Sequence, residues 1–323
     1  VSVSFISSFD SDDDDDEEEG FIIVVSNAEK STSEVVGSLT QILMVADVSS
    51  QSAQFINDLD TSFSSTYTCG NAASSFNATA IDLDNSNSVS KGDDLALRYT
   101  NCNVNEAIAN GDLTISVRDA NGINIGNYNS GANWLFAFDV NTDLLEINAN
   151  NKAFKVSGNM EISLQFDAML ASLDTEITSD RLNIEETSKN TLLNINLSQK
   201  INLASMPSNY SLTIDSLKLV NETKNTAITA IANSISFSGM ELLNLNQYFV
   251  NLDAPDNGVF NLAGKNSSAE VSIMPGELVS IDVDTNGDSI SDEEIFLIGE
   301  KLKNNKFNLN FVVLVSSILI NLF

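Results

Sequence analysis

The chain has no histidine, three prolines, two cysteines and one tryptophan, and its 15 basic residues face 45 acidic ones. Each shortage narrows the function. Without histidine the usual general base is gone, and with it most catalytic triads and most zinc sites; carboxylate, lysine, tyrosine or metal-assisted chemistry remains. Too few basic residues are present to build the face that phosphate binding needs, so nucleic acid is not expected as a partner. The scarcity of proline leaves few strand edges blunted that way. Cys69 and Cys102 lie in polar, strand-like surroundings with no CxxC motif. They read as one disulfide closing a loop of roughly 34 residues, which contributes about 3–4 kcal/mol on the chain-entropy model. The alternative is two free thiols in a reducing cytosol.

What the chain does have is negative charge. The net is −30, and nine of the acids fall in Asp10–Glu19, DSDDDDDEEE. The remainder is acidic in its own right, at −21 without that run. Such charge favours solubility and opposes compaction through self-repulsion, which bound divalent cations would relieve. Apolar residues make up 42% of the 323, enough for a real core.

Four regions follow from the pattern. Residues 1–20 read as the remnant of a leader, VSVSFISSF, a short apolar start followed by the small pair Ser7–Ser8, and then an acidic disordered tether. Residues 21–60 hold an apolar strand-like run, Phe21–Val25 (FIIVV). After it comes helical spacing over Asn27–Leu59, one or two helices with Ser31 or Ser33 as a cap. Residues 61–295 carry short alternating runs separated by Asn, Asp, Ser and Gly, among them Leu95–Tyr99, Leu113–Val117, Phe154–Val156, Met160–Phe166 and Leu212–Val220. Period-two alternation with polar punctuation predicts strands joined by hairpins. The expected fold is therefore mainly β: an antiparallel meander, as sandwich, barrel or curved sheet, with a short N-terminal helical segment. Residues 296–323 end in the apolar Phe307–Phe323, expected as a terminal strand or an anchor; it is marginal for a span of about 20 residues. Internal echoes occur, as between Gly111–Val117 (GDLTISV) and Gly158–Leu164 (GNMEISL), without a fixed period.

The strongest chemical signal is Ile281–Glu294, IDVDTNGDSISDEE. Asp282, Asp284, Asn286, Gly287 and Glu293 fit D-x-[DN]-x-[DN]-G-x5-E, with Asp288 giving a backbone carbonyl. A shifted register uses Asp284, Asn286, Asp288 and Asp292, with Ser289 where glycine is expected. Calcium is the predicted ion, and an ion-free acidic hairpin turn is the competing reading. A degenerate second loop, Ile81–Asp94, offers Asp82, Asp84, Ser86 and Asp93, with Asn87 in the glycine position; its alternative is an Asx-type turn inside the disulfide loop.

Enzyme motifs are absent: the sequence contains no GxSxG, HExxH or P-loop. Trp134, in a run with Phe136 and Phe138, reads as core. N-x-[ST] sequons occur at Asn77, Asn196, Asn209, Asn221 and Asn266, a number that chance produces in so Asn- and Ser-rich a chain.

Taken together, these parts resemble a loose group of uncharacterised bacterial cell-envelope lipoproteins. The matching features are the leader, the Asp10–Glu19 tether and the Cys69–Cys102 segment enclosing Asp82, Asp84, Gly92 and Asp93. To these add the G-x-[LM]-x-[IV] strand at Gly111–Val117 and a late thrombospondin type 3 or EF-hand-like loop at Asp282–Asp292. The chain departs from the group in having Phe9 where the lipidated cysteine would stand. The resemblance implies a secreted, surface or periplasmic location and a β-rich fold, with membrane proximity, and no mechanism. The expected function is a non-enzymatic structural or adhesive protein stabilised by calcium, polymerising by strand exchange through its apolar terminal segments. The alternative is an envelope module binding a lipid or other apolar ligand, and a carboxylate-dependent hydrolase ranks last.

Overall fold

A computed structural model describes residues 21–298 apart from 58–62, 70–73, 87–88, 105–106, 122–130, 150–151, 187–188, 203–207, 222–225, 241–256 and 275–277. The acidic run and Phe307–Phe323 lie outside the described residues. One helix, α1 (Val25–Asn57), precedes fourteen strands. These are β1 (Phe63–Thr68), β2 (Ser75–Ile81), β3 (Asp94–Val104), β4 (Ala107–Asn121), β5 (Trp134–Ala149), β6 (Lys152–Asp167) and β7 (Ser172–Glu186). They continue as β8 (Lys189–Asn202), β9 (Ser208–Asn221), β10 (Thr226–Met240), β11 (Asn257–Gly264), β12 (Ser267–Met274), β13 (Leu278–Asp284) and β14 (Glu293–Ile298). Each strand pairs antiparallel with the next in sequence, in a single open sheet edged by β1 and β14. This is the predicted meander, realised as a curved sheet. Runs that looked separate in the sequence, Phe154–Val156 and Met160–Phe166, are one strand, β6.

The alternation sets the two faces. On β6, Phe154, Val156, Met160, Ile162, Leu164 and Phe166 are buried while Lys155, Glu161 and Gln165 are exposed. Apolar inside and polar outside is the reverse of a lipid-facing barrel strand. Arg118 on the outer face bridges Asp139 of β5, at 3.0 Å, and Glu161 of β6.

The sheet rolls around α1. Ile42, Leu43, Met44, Val45 and Ala46 are consecutive and all buried. Five successive residues at 100° each cover the whole circumference, so the middle of the helix is enclosed rather than resting one face on a layer, while its first turns reach the surface at Ser26 and Lys30. Its serine and threonine hydroxyls tolerate this because they donate to carbonyls one turn back: Ser31 to Asn27 (3.0 Å), Thr32 to Ala28 (2.9 Å) and Ser49 to Val45 (2.7 Å). Ser31 and Ser33 are thus interior residues and not caps. The helix begins at Val25, where Asn27 folds back to accept from Val24 N (2.9 Å) and donate to Ile22 O (2.9 Å). Phe21–Val24 forms no strand. It packs against the β11–β12 turn, with Lys265 N donating to Phe21 O (2.7 Å), Ile23 N donating to Ser267 Oγ (2.8 Å), and Ile23 fully buried. The apolar run that looked free for exchange is spent on anchoring α1.

Curvature comes from bulges, a row of them on the alternate strands β3, β5, β7 and β9 and others on β4 and β10. Register slips lie between Tyr99 and Cys102 on β3, Thr142 and Leu145 on β5, Ser179 and Leu182 on β7, and opposite Asn196–Leu197 on β9. At each, inward residues change parity: Trp134 to Thr142 are even on β5, then Leu145 and Ile147 are odd. Bulges bend and twist a strand, so a row of them curls the sheet. The neighbouring strands carry glycine where the bulge presses in: Gly111 (φ 113°) against the Leu144 carbonyl and Gly158 (φ 120°) against the Arg181 carbonyl. A hydroxyl beside the bulge donates to the carbonyl after each glycine, Thr142 to Asp112 (2.7 Å) and Ser179 to Asn159 (2.5 Å). The echo between GDLTISV and GNMEISL is this unit, built twice.

One buried hydroxyl pair ties α1 to the sheet, Ser52 Oγ with the Tyr99 hydroxyl. Burial pushes the Tyr99 phenol up to about 12, against a smaller lowering by Ser52. The unfolded phenol ionises near pH 10 and the folded one near 12, so Tyr99 favours folding below pH 10 and that contribution is lost as pH rises between the two. About 3 kcal/mol of stability is expected to disappear across that interval. Tyr99→Phe should flatten the loss in urea titrations; an unchanged slope would rule this origin out.

Candidate metal centre

Connections in a meander alternate between its two ends. The β1–β2, β7–β8, β11–β12 and β13–β14 turns lie at one end and the β2–β3 connection at the other. The disulfide Cys69–Cys102 (Cα–Cα 5.1 Å) joins the end of β1 to the end of β3, at the first of these ends. The two acidic loops are therefore at opposite ends of the molecule, and their sequence echo does not make one site.

At the β2–β3 connection, left-handed Asn85 (φ 55°) and Gly92 (φ 99°) turn the chain so that three carboxylates converge. Oxygens of Asp82, Asp84 and Asp93 lie within 4.8 Å of one another. Asp82 and Asp93 are buried, 8% and 4% exposed, and Asp84 is exposed. Backbone donors hold them: Leu83 N and Ser90 N donate to Asp93 (3.0 and 2.7 Å), and Ser86 N to Asp82 (3.2 Å) and Asp84 (2.9 Å). Hydrogen bonds from the Ser86 side chain and then its backbone hold the Asp84 carboxyl below its ordinary value. The cluster offers three of the six to eight oxygens calcium takes. The β2–β3 hairpin is thus clamped at one end by the disulfide and gathered at the other by these acids.

The β13–β14 loop is arranged differently. Asp284 is buried and accepts from Asn286 N (3.1 Å), Gly287 N (2.7 Å) and Ser289 N (2.8 Å). Burial pulls its carboxyl up, but these backbone donors outweigh it and the net shift is downward. Asn286 Oδ1 accepts from Asp288 N (2.8 Å), Asp288 from Ile290 N (2.9 Å), and Asp292 from Thr285 N and Oγ1 (2.8 and 2.6 Å). The acids cap their own turn, one after another. Asp282 stands within β13, opposite Glu270 and Glu294, and Glu293 pairs with Val283 in β14. The pattern that matched the calcium template closely is a chain of Asx turns, and among the described residues the degenerate loop is the one that gathers carboxylates.

Of the sequons, Asn77, Asn196 and Asn266 are exposed, while Asn221 borders a cleft beside α1. No protein-family model, curated protein or solved structure matches the chain.

Proposed function

We propose that the protein is a non-catalytic structural or adhesive domain of an oxidising compartment, at the cell surface, in the envelope or secreted, in which calcium braces the β2–β3 hairpin. The observation that carries this is the convergence of Asp82, Asp84 and Asp93, two of them buried, inside the ring closed by Cys69–Cys102. Three like charges that close repel one another, and a divalent cation removes the repulsion. A disulfide persists outside the reducing cytosol. Among the described residues no helix is long and apolar enough to cross a membrane. The resolved carboxylate shifts, at Asp84, Asp112 and Asp284, are all downward, whereas an acid–base pair needs one raised. The hydrolase reading is the weaker for it. Filling of the concave face by α1 and the inward strand residues likewise weighs against a lipid cavity. The open edges at β1 and β14 favour assembly by strand addition.

Thermal melts with calcium and with chelator test the reading. At a calcium concentration 100-fold above the dissociation constant, about 2.7 kcal/mol of stabilisation is expected. Asp84→Ala should abolish the shift while leaving the chelated protein near wild type, because Asp84 is exposed. A melt indifferent to calcium would end the cation reading, and sedimentation showing a strict monomer would end the assembly part.

A further inference from the structure

In a chain of net charge −30, one cleft gathers lysines over an apolar floor. It lies between the N-terminal half of α1 and the rim of β8–β10, with a volume of about 180 Å³. Lys30 and Glu34 line it from the helix and Lys189 from the start of β8, while Phe21, Leu219 and Ile228 supply the apolar surface. Lys189 Nζ sits 3.5 Å from the Glu34 carboxylate. Among the described residues Lys30 forms no ion pair, so the cleft's own lining carries two ammonium groups and one carboxylate in a chain where acids outnumber bases threefold.

We infer that this cleft binds a small amphiphilic monocarboxylate. Its head would sit between the Lys30 and Lys189 ammonium groups, and its short apolar body against Phe21, Leu219 and Ile228. The size agrees with the chemistry, since an apolar cavity of roughly 150 Å³ takes one benzene ring. A few placed charged and polar groups beside an apolar patch are what orients a small ligand in such a site. The cleft is at the disulfide end of the meander and the Asp82–Asp93 cluster at the other, so this inference and the cation reading stand or fall separately.

Calorimetric titration of the full chain with benzoate at low ionic strength tests it. Saturable one-to-one binding with a dissociation constant of about 1 mM is expected, with benzyl alcohol, the neutral analogue, at least about tenfold weaker. Lys30→Met and Lys189→Met should each weaken benzoate by about tenfold, and Lys155→Met, on the outer face of β6, should not. Both cleft variants should keep the wild-type circular dichroism spectrum, because surface ion pairs contribute little to folding. Absence of saturable benzoate binding, equal binding of benzyl alcohol, or undiminished binding by the folded cleft variants would each overturn the inference.

Discussion

Gly158→Val should cost about 3–5 kcal/mol and lower the melting temperature by roughly 5–8 °C. Two terms add. The backbone is at φ 120°, a region that a β-branched residue adopts only under strain. A Cβ there would also lie 2.5 Å from the Arg181 carbonyl oxygen, which is backbone held in the β7 bulge and unable to swing aside. Gly111, against the Leu144 carbonyl, should respond in the same direction. Gly37 is the control. It lies inside α1 with nothing within 4 Å of an added Cβ, so Gly37→Ala should stabilise by about 0.5–1 kcal/mol. A Gly158→Val protein melting with wild type would mean that the bulge row does not set the curvature.

Removing the disulfide is the second large effect. With Cys69 and Cys102 separated by 33 residues, the Cys69→Ala/Cys102→Ala double variant should lose about 4 kcal/mol in chemical denaturation. Cys102 is buried, so alanine at both positions avoids stranding a polar group. The loss should be uneven in space. The bridge ties β1 to β3 at the open edge of the sheet, and amide exchange in β1–β3 should accelerate well before that in β5–β8. Identical denaturation midpoints for the oxidised and cysteine-free proteins would show that the bridge does not stabilise the fold.

The strand content was legible because period-two alternation survives in nearly every run from Leu95 onward, and each run has one face to bury. The disulfide was legible because two cysteines in a chain without histidine have few other uses. Helix α1 was legible as a helix, but its position was not. Its apolar residues, spread round the axis, are consistent with several surroundings, and its buried serines became acceptable only through bonds to their own helix. FIIVV misled because a β-branched run carries the same local preference whether it forms a strand or packs as an anchor. The metal template is ambiguous for a similar reason. Alternating Asp and Asn at the spacing of Asp284–Asp288 suits Asx turns as well as calcium, and spacing does not record which way a carboxylate points.

By itself, then, the sequence determined a β meander, an acidic surface, one cross-link and the exclusion of histidine chemistry, since these depend on residue type and local period. The tertiary structure decided that the sheet rolls round its own helix, that the calcium-like loops stand at opposite ends, and that Asp82, Asp84 and Asp93 converge. It also decided that Lys30 and Lys189, from α1 and β8, share a cleft. Those outcomes depend on strand parity and on the bulges that bend the sheet, which bring together residues that no local pattern connects.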